Sequence, residues 1–362
     1  MRAVFSILTA FSLSQPAVAD TPRVVTDIAP IHSLVARVME GVGTPDLILP
    51  PGASPHGYAM RPSEVRAISS ADVIIWVGPA LTPWLADTLD TLAPDAQQLE
   101  LMEAAGVTHL PFRTGAMFDA HDDHDHDGHA EEASHDDHED RNAHDDHDDH
   151  NAHDDHDKHD AHDDHDKHDG HDTHEAHDAQ DAHDDHDHAH GAEDPHIWLD
   201  PHNGQAILTA ISNSLADADP QNADLYRDNA AAGARELKEI EAKIRARLDP
   251  LQGRPFIVFH DAYHYFEARF GIEAIAAISL ADGGAASAGH LAEVRDTVAA
   301  TGARCALIEP EAREGLIDAV FAEADIRMES VHPLGLESDL GLALYGQLLM
   351  QTSEAIARCL AD

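Results

Sequence analysis

Positive charge is scarce in this chain: 22 Lys and Arg stand against 69 Asp and Glu in 362 residues, a formal net charge of −47. So acidic a surface excludes nucleic acid and anionic membranes as partners. No stretch reaches 18 consecutive apolar residues, so no transmembrane helix is predicted. HExxH, a nucleophile elbow, a P-loop and a Gly-rich dinucleotide turn are all missing, which removes the usual sequence marks of an enzyme. Cysteine is limited to Cys305 and Cys359, with no CxxC spacing.

What is present begins with an address. Arg2, the apolar stretch Val4 to Leu13 and the small-residue site Ala17-Val18-Ala19 read as a cleavable leader over residues 1–19. Only ten residues of it are apolar, too few to span a bilayer, and no cysteine follows to carry a lipid. The predicted compartment is the periplasm. In that oxidising space Cys305 and Cys359 read as a disulfide, with a two-cysteine metal site as the alternative.

Residues 121–190 hold 22 of the 31 histidines and not one Leu, Ile, Val or aromatic residue. Histidine recurs at every third position through His144, His147, His150, His153, His156, His159, His162, His165 and His168, and on to His177. The same tract carries 29 carboxylates against Arg141, Lys158 and Lys167, more than half of the chain's net charge. With nothing apolar to bury, it cannot offset the entropy of ordering, and a three-residue period keeps no face of a helix. It is therefore predicted to be a disordered His/Asp-rich loop, spanning 119–193. Imidazole suits Zn, Cu and Ni, so many flexible copies form many weak, exchanging metal sites. A solvating acidic linker would need no histidine.

On either side of the tract, strand and helix signals alternate. Strands are predicted at 23–27, 46–49 and 73–77, with helices at 30–40, 62–69, 82–92 and 203–216. One long helix follows at 221–248, with Leu237, Ile240, Ile244 and Leu248 forming its single apolar stripe. Then come strands at 256–259, 273–278, 305–308 and 327–331, and helices at 262–270, 287–300, 311–324 and 340–360. The fold class is α/β, with two parallel-sheet lobes joined by one long backbone helix. The lobes are expected at 20–218 and 251–362, with the linking helix at 219–250.

Four of the nine histidines outside the tract share a setting. His56 lies in a Pro/Gly loop after a strand, and His196 follows Asp194-Pro195. His260 ends one strand and His332 follows another. Ligands of open α/β sheets bind off the carboxyl ends of strands, so these four are the candidate metal ligands. His260 and His264 have the i, i+4 spacing of a zinc-protease helix, but Asp261 stands where that motif needs Glu. His264 is read as a surface or ligand-supporting residue, and His32, His109, His202 and His290 as surface or capping groups. Asp200 and Asp261 are candidates to orient the ligating rings.

Ser54-Pro55-His56-Gly57-Tyr58 with Arg61-Pro62-Ser63, His196-Ile197-Trp198-Leu199-Asp200-Pro201, and Phe259-His260-Asp261-Ala262-Tyr263 occur in that order. Glu309-Pro310 and Pro333-Leu334-Gly335 follow them. The set resembles the zinc-specific solute-binding proteins of ABC importers, the ZnuA-type members of cluster A-I, over residues 23–360. The resemblance implies Zn²⁺ as the transported substrate, held between the lobes by His56, His196 and His260. It also implies a membrane permease with a cytoplasmic ATPase as partner, and it matches the Cys305–Cys359 pair to a disulfide of some members. Where the family has Asp before Pro-Leu-Gly, this chain has His332, so the fourth ligand is His332, a water or a carboxylate elsewhere. Nitrogen donors favour zinc over manganese, while copper and nickel accept the same set. The chain is expected to be monomeric, with its tract available to a periplasmic zinc chaperone. A periplasmic metal buffer or store, and a zinc-dependent hydrolase with an open coordination position, are the competing readings.

Overall fold

The computed structural model describes residues 21–113, 118, 193–279, 286–310, 312–322 and 324–361. The expected leader and the His/Asp-rich tract with its auxiliary histidines lie outside the described residues.

Two four-stranded parallel sheets carry the fold. The first holds β1 (Val24–Thr26), β2 (Asp46–Leu47), β3 (Val73–Trp76) and β4 (Gln97–Glu100) in the order β2-β1-β3-β4. The second holds β5 (Phe256–His260), β6 (Ala274–Ser279), β7 (Cys305–Ile308) and β8 (Arg327–Ser330) in the equivalent order β6-β5-β7-β8. Each sheet therefore reverses its winding once, between β1 and β3 and between β5 and β7. The crevice at the carboxyl ends of those strand pairs is where such sheets bind ligands.

Side-chain alternation sorts each strand between two cores. In β3, Val73 and Ile75 face a large inner core, while Ile74 and Trp76 face α2 (Pro62–Ser69) and α3 (Pro83–Leu92). In β5, Phe256 and Val258 face the inner core, and Ile257 turns to the far side under α7 (Ala288–Thr301) and α8 (Glu314–Phe321). The inner core runs without a break through both halves, joined by α1 (Ala29–Val38), α4 (Pro201–Ala218), α5 (Ala223–Leu248), α6 (His264–Phe270) and α9 (Leu344–Leu360).

The long helix is α5, 26 residues or about 39 Å at 1.5 Å per residue. Its buried stripe is Tyr226, Ala230, Gly233, Leu237, Ile240, Ile244 and Leu248, which contains the four residues of the predicted stripe. Near its start Asn229 Nδ2 donates to the carbonyls of Val38 and Glu40 at 2.9 and 2.8 Å, and at its middle Glu236 pairs with Arg37 at 3.1 Å. Near its end Arg247 reaches Ser353 at 2.6 Å and Glu354 at 3.2 Å. The helix thus ties α1, beside the first sheet, to α9, which packs on β7 and β8 of the second. The opening of α9 also returns to the first half, where the Tyr345 backbone N–H donates to Ser33 Oγ at 3.0 Å.

Three details differ from the sequence reading. Strand β4 carries no apolar run and was not predicted; it is an edge strand whose outer residues are exposed. The closing helix starts at Leu344 rather than Leu340, because Gly341 adopts φ 150, outside helical space. The helix expected over 311–324 is confined to Glu314–Phe321. Cys305 at the start of β7 and Cys359 in the last turn of α9 form the disulfide, with Cα atoms 5.2 Å apart, which excludes a metal site at that pair.

Candidate metal centre

His260 is the last residue of β5 and Glu309 the first after β7, so both stand where the second sheet reverses its winding. Adjacent strands bring His260 Nδ1 to 3.3 Å from Glu309 Oε1. His196 comes from the segment before α4. A single 3-10 turn, Ile197–Leu199, buries all three of its side chains just after the ligand candidate. The Tyr345 hydroxyl donates to Trp198 O at 2.6 Å and fixes that turn. It passes so close to Gly204 that any side chain there would collide with it. Asp194 Oδ1 accepts the His196 backbone N–H at 2.9 Å and faces His196 Nδ1 at 2.6 Å.

Each ring thus turns Nδ1 toward a carboxylate, and a neutral imidazole held in this way is protonated on Nδ1 and offers Nε2 to a metal. This pairing fixes the tautomer and raises the basicity of metal-ligating imidazoles. Both rings are about 3% exposed.

His56 arrives on the loop between β2 and α2. Trp84 Nε1 donates to Pro55 O at 2.7 Å, and the Tyr58 hydroxyl bonds both Glu64 carboxylate oxygens at 3.0 and 3.1 Å. Glu64 in turn accepts the Arg61 backbone N–H at 2.6 Å, closing the first turn of α2. The loop is therefore held by α2 and α3.

The three rings converge. The centroids of His196 and His260 are 5.1 Å apart, those of His56 and His196 5.9 Å, and those of His56 and His260 6.5 Å. Zn–N bonds of about 2.0–2.1 Å at tetrahedral angles hold imidazole centroids roughly 5 Å apart. The first pair already has that spacing, and His56 stands about 1 Å outside it on the same geometry. Among the described residues no three His, Cys, Asp or Glu side chains form a ready-made metal shell. His56 is the ring that lies farthest from that spacing.

His332 lies two residues beyond β8, buried, and its Nδ1 accepts the Leu334 backbone N–H at 3.0 Å. The next residue, Pro333, accepts from Trp198 Nε1 at 2.9 Å, tying this loop to the turn after His196.

The ring-orienting role expected of Asp200 and Asp261 falls instead to Asp194 and Glu309. Asp200 accepts the His202 backbone N–H at 2.7 Å, capping α4, and takes a two-pronged bond from Arg269 at 2.7 and 2.6 Å. Asp261 is held by Arg113, whose Nε lies 3.0 Å from Oδ1, and the same guanidinium reaches Glu267 at 2.6 Å. Burial opposes the Arg113 charge, but Glu267 and Asp261 outweigh it and hold its pKa above the ordinary value. Asp194 carried a sequence signal, since an Asp two residues before a His is an Asx-turn spacing. Nothing local marked Glu309 as the partner of His260.

Of the two readings of His264, the surface one fails: the residue is buried, with Nδ1 3.8 Å from Asp194 Oδ2. His32 is buried too, its Nε2 3.0 Å from Pro45 O, and burial lowers its pKa. His109 pairs with Glu193 at 2.7 Å, His290 Nε2 lies 2.9 Å from Ala277 O, and His202 is exposed.

The family model described as the periplasmic zinc-uptake complex component A, ZnuA, matches residues 24–359. The chain belongs to the ZnuA family. The high-affinity zinc uptake system protein ZnuA of Paracoccus denitrificans is 40% identical over 346 residues, 95% of this chain and 94% of that protein. Its namesake in Brucella suis biovar 1 is 38% identical over 338 residues, 93% of this chain and 91% of that one. Among solved structures, the periplasmic zinc binding protein TroA from Treponema pallidum matches with a TM-score of 0.66 at 18% identity, over 94% of this chain and 100% of that one. That last likeness is one of fold. ZnuA-family proteins are periplasmic solute-binding components, and no described helix here is long and apolar enough to cross a membrane.

Proposed function

We infer that this protein is the high-affinity zinc-binding component of an ABC-type importer. It captures Zn²⁺ in the periplasm between two α/β halves and hands it to a membrane permease driven by a cytoplasmic ATPase. His56, His196 and His260 are the proposed ligands. The observation that carries the reading is the pair of rings 5.1 Å apart, each with a carboxylate on Nδ1, and a third ring within 6.5 Å. Three neutral imidazoles suit zinc better than manganese. The fourth position falls to His332, a water or a carboxylate elsewhere; His332 Nδ1 accepts the Leu334 backbone N–H at 3.0 Å.

Residues 1–19 act as the export leader in this reading, and the mature chain works as a monomer with no chemical step. The tract 121–190, through histidines such as His144 and His168, captures or buffers zinc nearby and is the segment open to a periplasmic chaperone. Its composition favours a buffering role beside the tight site. Calorimetric zinc titration of the full chain and of a chain lacking residues 121–190 tests both parts. One tight site should persist while several weak ones vanish. Loss of the tight site on excision would instead make the protein a metal store, and retention of it in His56→Ala, His196→Ala and His260→Ala variants would end the ligand assignment.

A further inference from the structure

We propose that Arg113 is a positioning residue for metal capture, the outer anchor of a strap that sets the spacing between His196 and His260. The inference rests on the reading of those two rings as ligands. Residues 108–113 cross from the first half of the molecule to the second. At one end the Thr108 backbone is held on both sides by Asn203 of α4, with N–H to Oδ1 at 2.8 Å and Nδ2 to O at 3.0 Å.

Midway, the strap grips the residue that orients His196. Leu110 O accepts the Asp194 backbone N–H at 2.8 Å, and the Tyr265 hydroxyl accepts from Leu110 N–H at 2.9 Å while donating to Asp194 O at 2.8 Å. Pro111 and Glu193 continue this contact as an antiparallel bridge. Three residues on from Leu110, Arg113 grips Asp261, the neighbour of His260, through Nε at 3.0 and 3.2 Å and a further close Nη2 contact. Its other nitrogen holds Glu267 at 2.6 Å, and Phe118 packs 3.9 Å beneath the guanidinium while its N–H donates to Ile275 O at 3.1 Å. Extended chain covers about 10 Å in three residues, so one short segment contacts both histidine neighbourhoods at once.

Stability alone does not account for this arrangement. Glu267 is fully buried and Asp261 nearly so, and their pairing with a guanidinium that is itself mostly buried gains little against the cost of desolvation. Among the described residues Glu267 Oε1 has no hydrogen-bond partner, so the cluster is not even saturated. Fixing register is the best-attested return on such a buried pair. The ring spacings agree with that role. The two rings whose neighbours the strap holds are 5.1 Å apart, whereas His56, on a loop held by Trp84 and Tyr58, stands at 5.9 and 6.5 Å.

Two variants test the proposal in the full chain. The triple substitution Arg113→Met, Asp261→Asn and Glu267→Gln removes all three charges together and leaves no buried ion uncompensated. Arg113→Lys keeps the charge but loses the planar fork that reaches both carboxylates. Zinc affinity is read by chelator competition, ring geometry by the visible d–d bands of the Co²⁺ form, and stability by metal-free thermal unfolding. Both variants should bind zinc about tenfold or more weakly, the scale for altering a ligand's supporting contacts, with changed Co²⁺ bands and metal-free melting close to the parent. Parental affinity and Co²⁺ bands in Arg113→Lys overturn the proposal, whether or not the triple variant folds. So does an affinity loss that merely tracks lost metal-free stability. His196→Ala and His260→Ala are the controls: tight binding retained there defeats the ligand reading itself, while tight binding lost there but kept in the strap variants defeats the strap alone.

Discussion

Asp194 Oδ1 sits 2.6 Å from His196 Nδ1 and also accepts the backbone N–H of the same residue at 2.9 Å. One oxygen thus fixes both the ring and the main chain of a proposed ligand. Replacing Asp194 by Asn keeps the shape and removes the charge. Zinc affinity should fall 10–100-fold, the usual range for such partners, as measured by chelator competition. An unchanged affinity would show that the ring needs no carboxylate.

Trp84 holds the loop that brings His56. Trp84→Phe removes the 2.7 Å bond to Pro55 O while keeping most of the packing against Tyr58. The loss in metal-free stability should be about 1 kcal/mol, the net value of one hydrogen bond. The zinc on-rate or affinity should drop as well, because this bond holds the loop that carries His56. Stopped-flow binding beside a melting curve separates the two effects.

Acid should release the metal. Three imidazoles with a reference pKa of ~6.5 must be neutral to ligate, so affinity should fall steadily from about pH 7 to pH 5. A flat chelator-competition profile over that range would count against histidine ligation.

Asp27 makes the opposite kind of pH dependence. It follows β1 directly and accepts the backbone N–H groups of Ile28 and Val77, both at 2.8 Å, at the winding reversal of the first sheet. Burial nevertheless pushes its carboxyl up to about 7. A carboxyl whose folded pKa exceeds its unfolded value of about 4 contributes stability that is complete below that value and lost as pH rises through the folded pKa. The metal-free urea midpoint should therefore decline from pH 5 to pH 8 more steeply in the parent than in Asp27→Asn. Parallel profiles would show that Asp27 stays charged throughout.

The disulfide lies at the other end of β7 from Glu309, about 13 Å away by strand rise. The Cys305→Ser, Cys359→Ser pair should cost roughly 2–4 kcal/mol of stability and leave zinc affinity unchanged. Denaturant unfolding and chelator competition on the same sample check both halves.

Much of the architecture was legible because it rests on local patterns. Leu237, Ile240, Ile244 and Leu248 repeat at helical spacing, and the buried runs Val73–Trp76 and Phe256–His260 have the length of parallel strands. Gln97–Glu100 escaped notice because an exposed edge strand needs no apolar side chains. The sequence leaves His264 as a surface or ligand-supporting residue and His32 as a surface or capping group; both are buried, because a histidine has no intrinsic preference for either side and only its neighbours decide.

The sequence by itself determined two alternating α/β halves, a linking helix and three histidines at places where such sheets bind ligands. Only the tertiary structure decided which carboxylates serve them. Asp194 acts across two residues of chain, but Glu309 reaches His260 across 49 residues because β5 and β7 lie side by side. Arg113 reaches Asp261 across 148 residues. Strand order and lobe packing set those distances, and neither is written in any local run of residues.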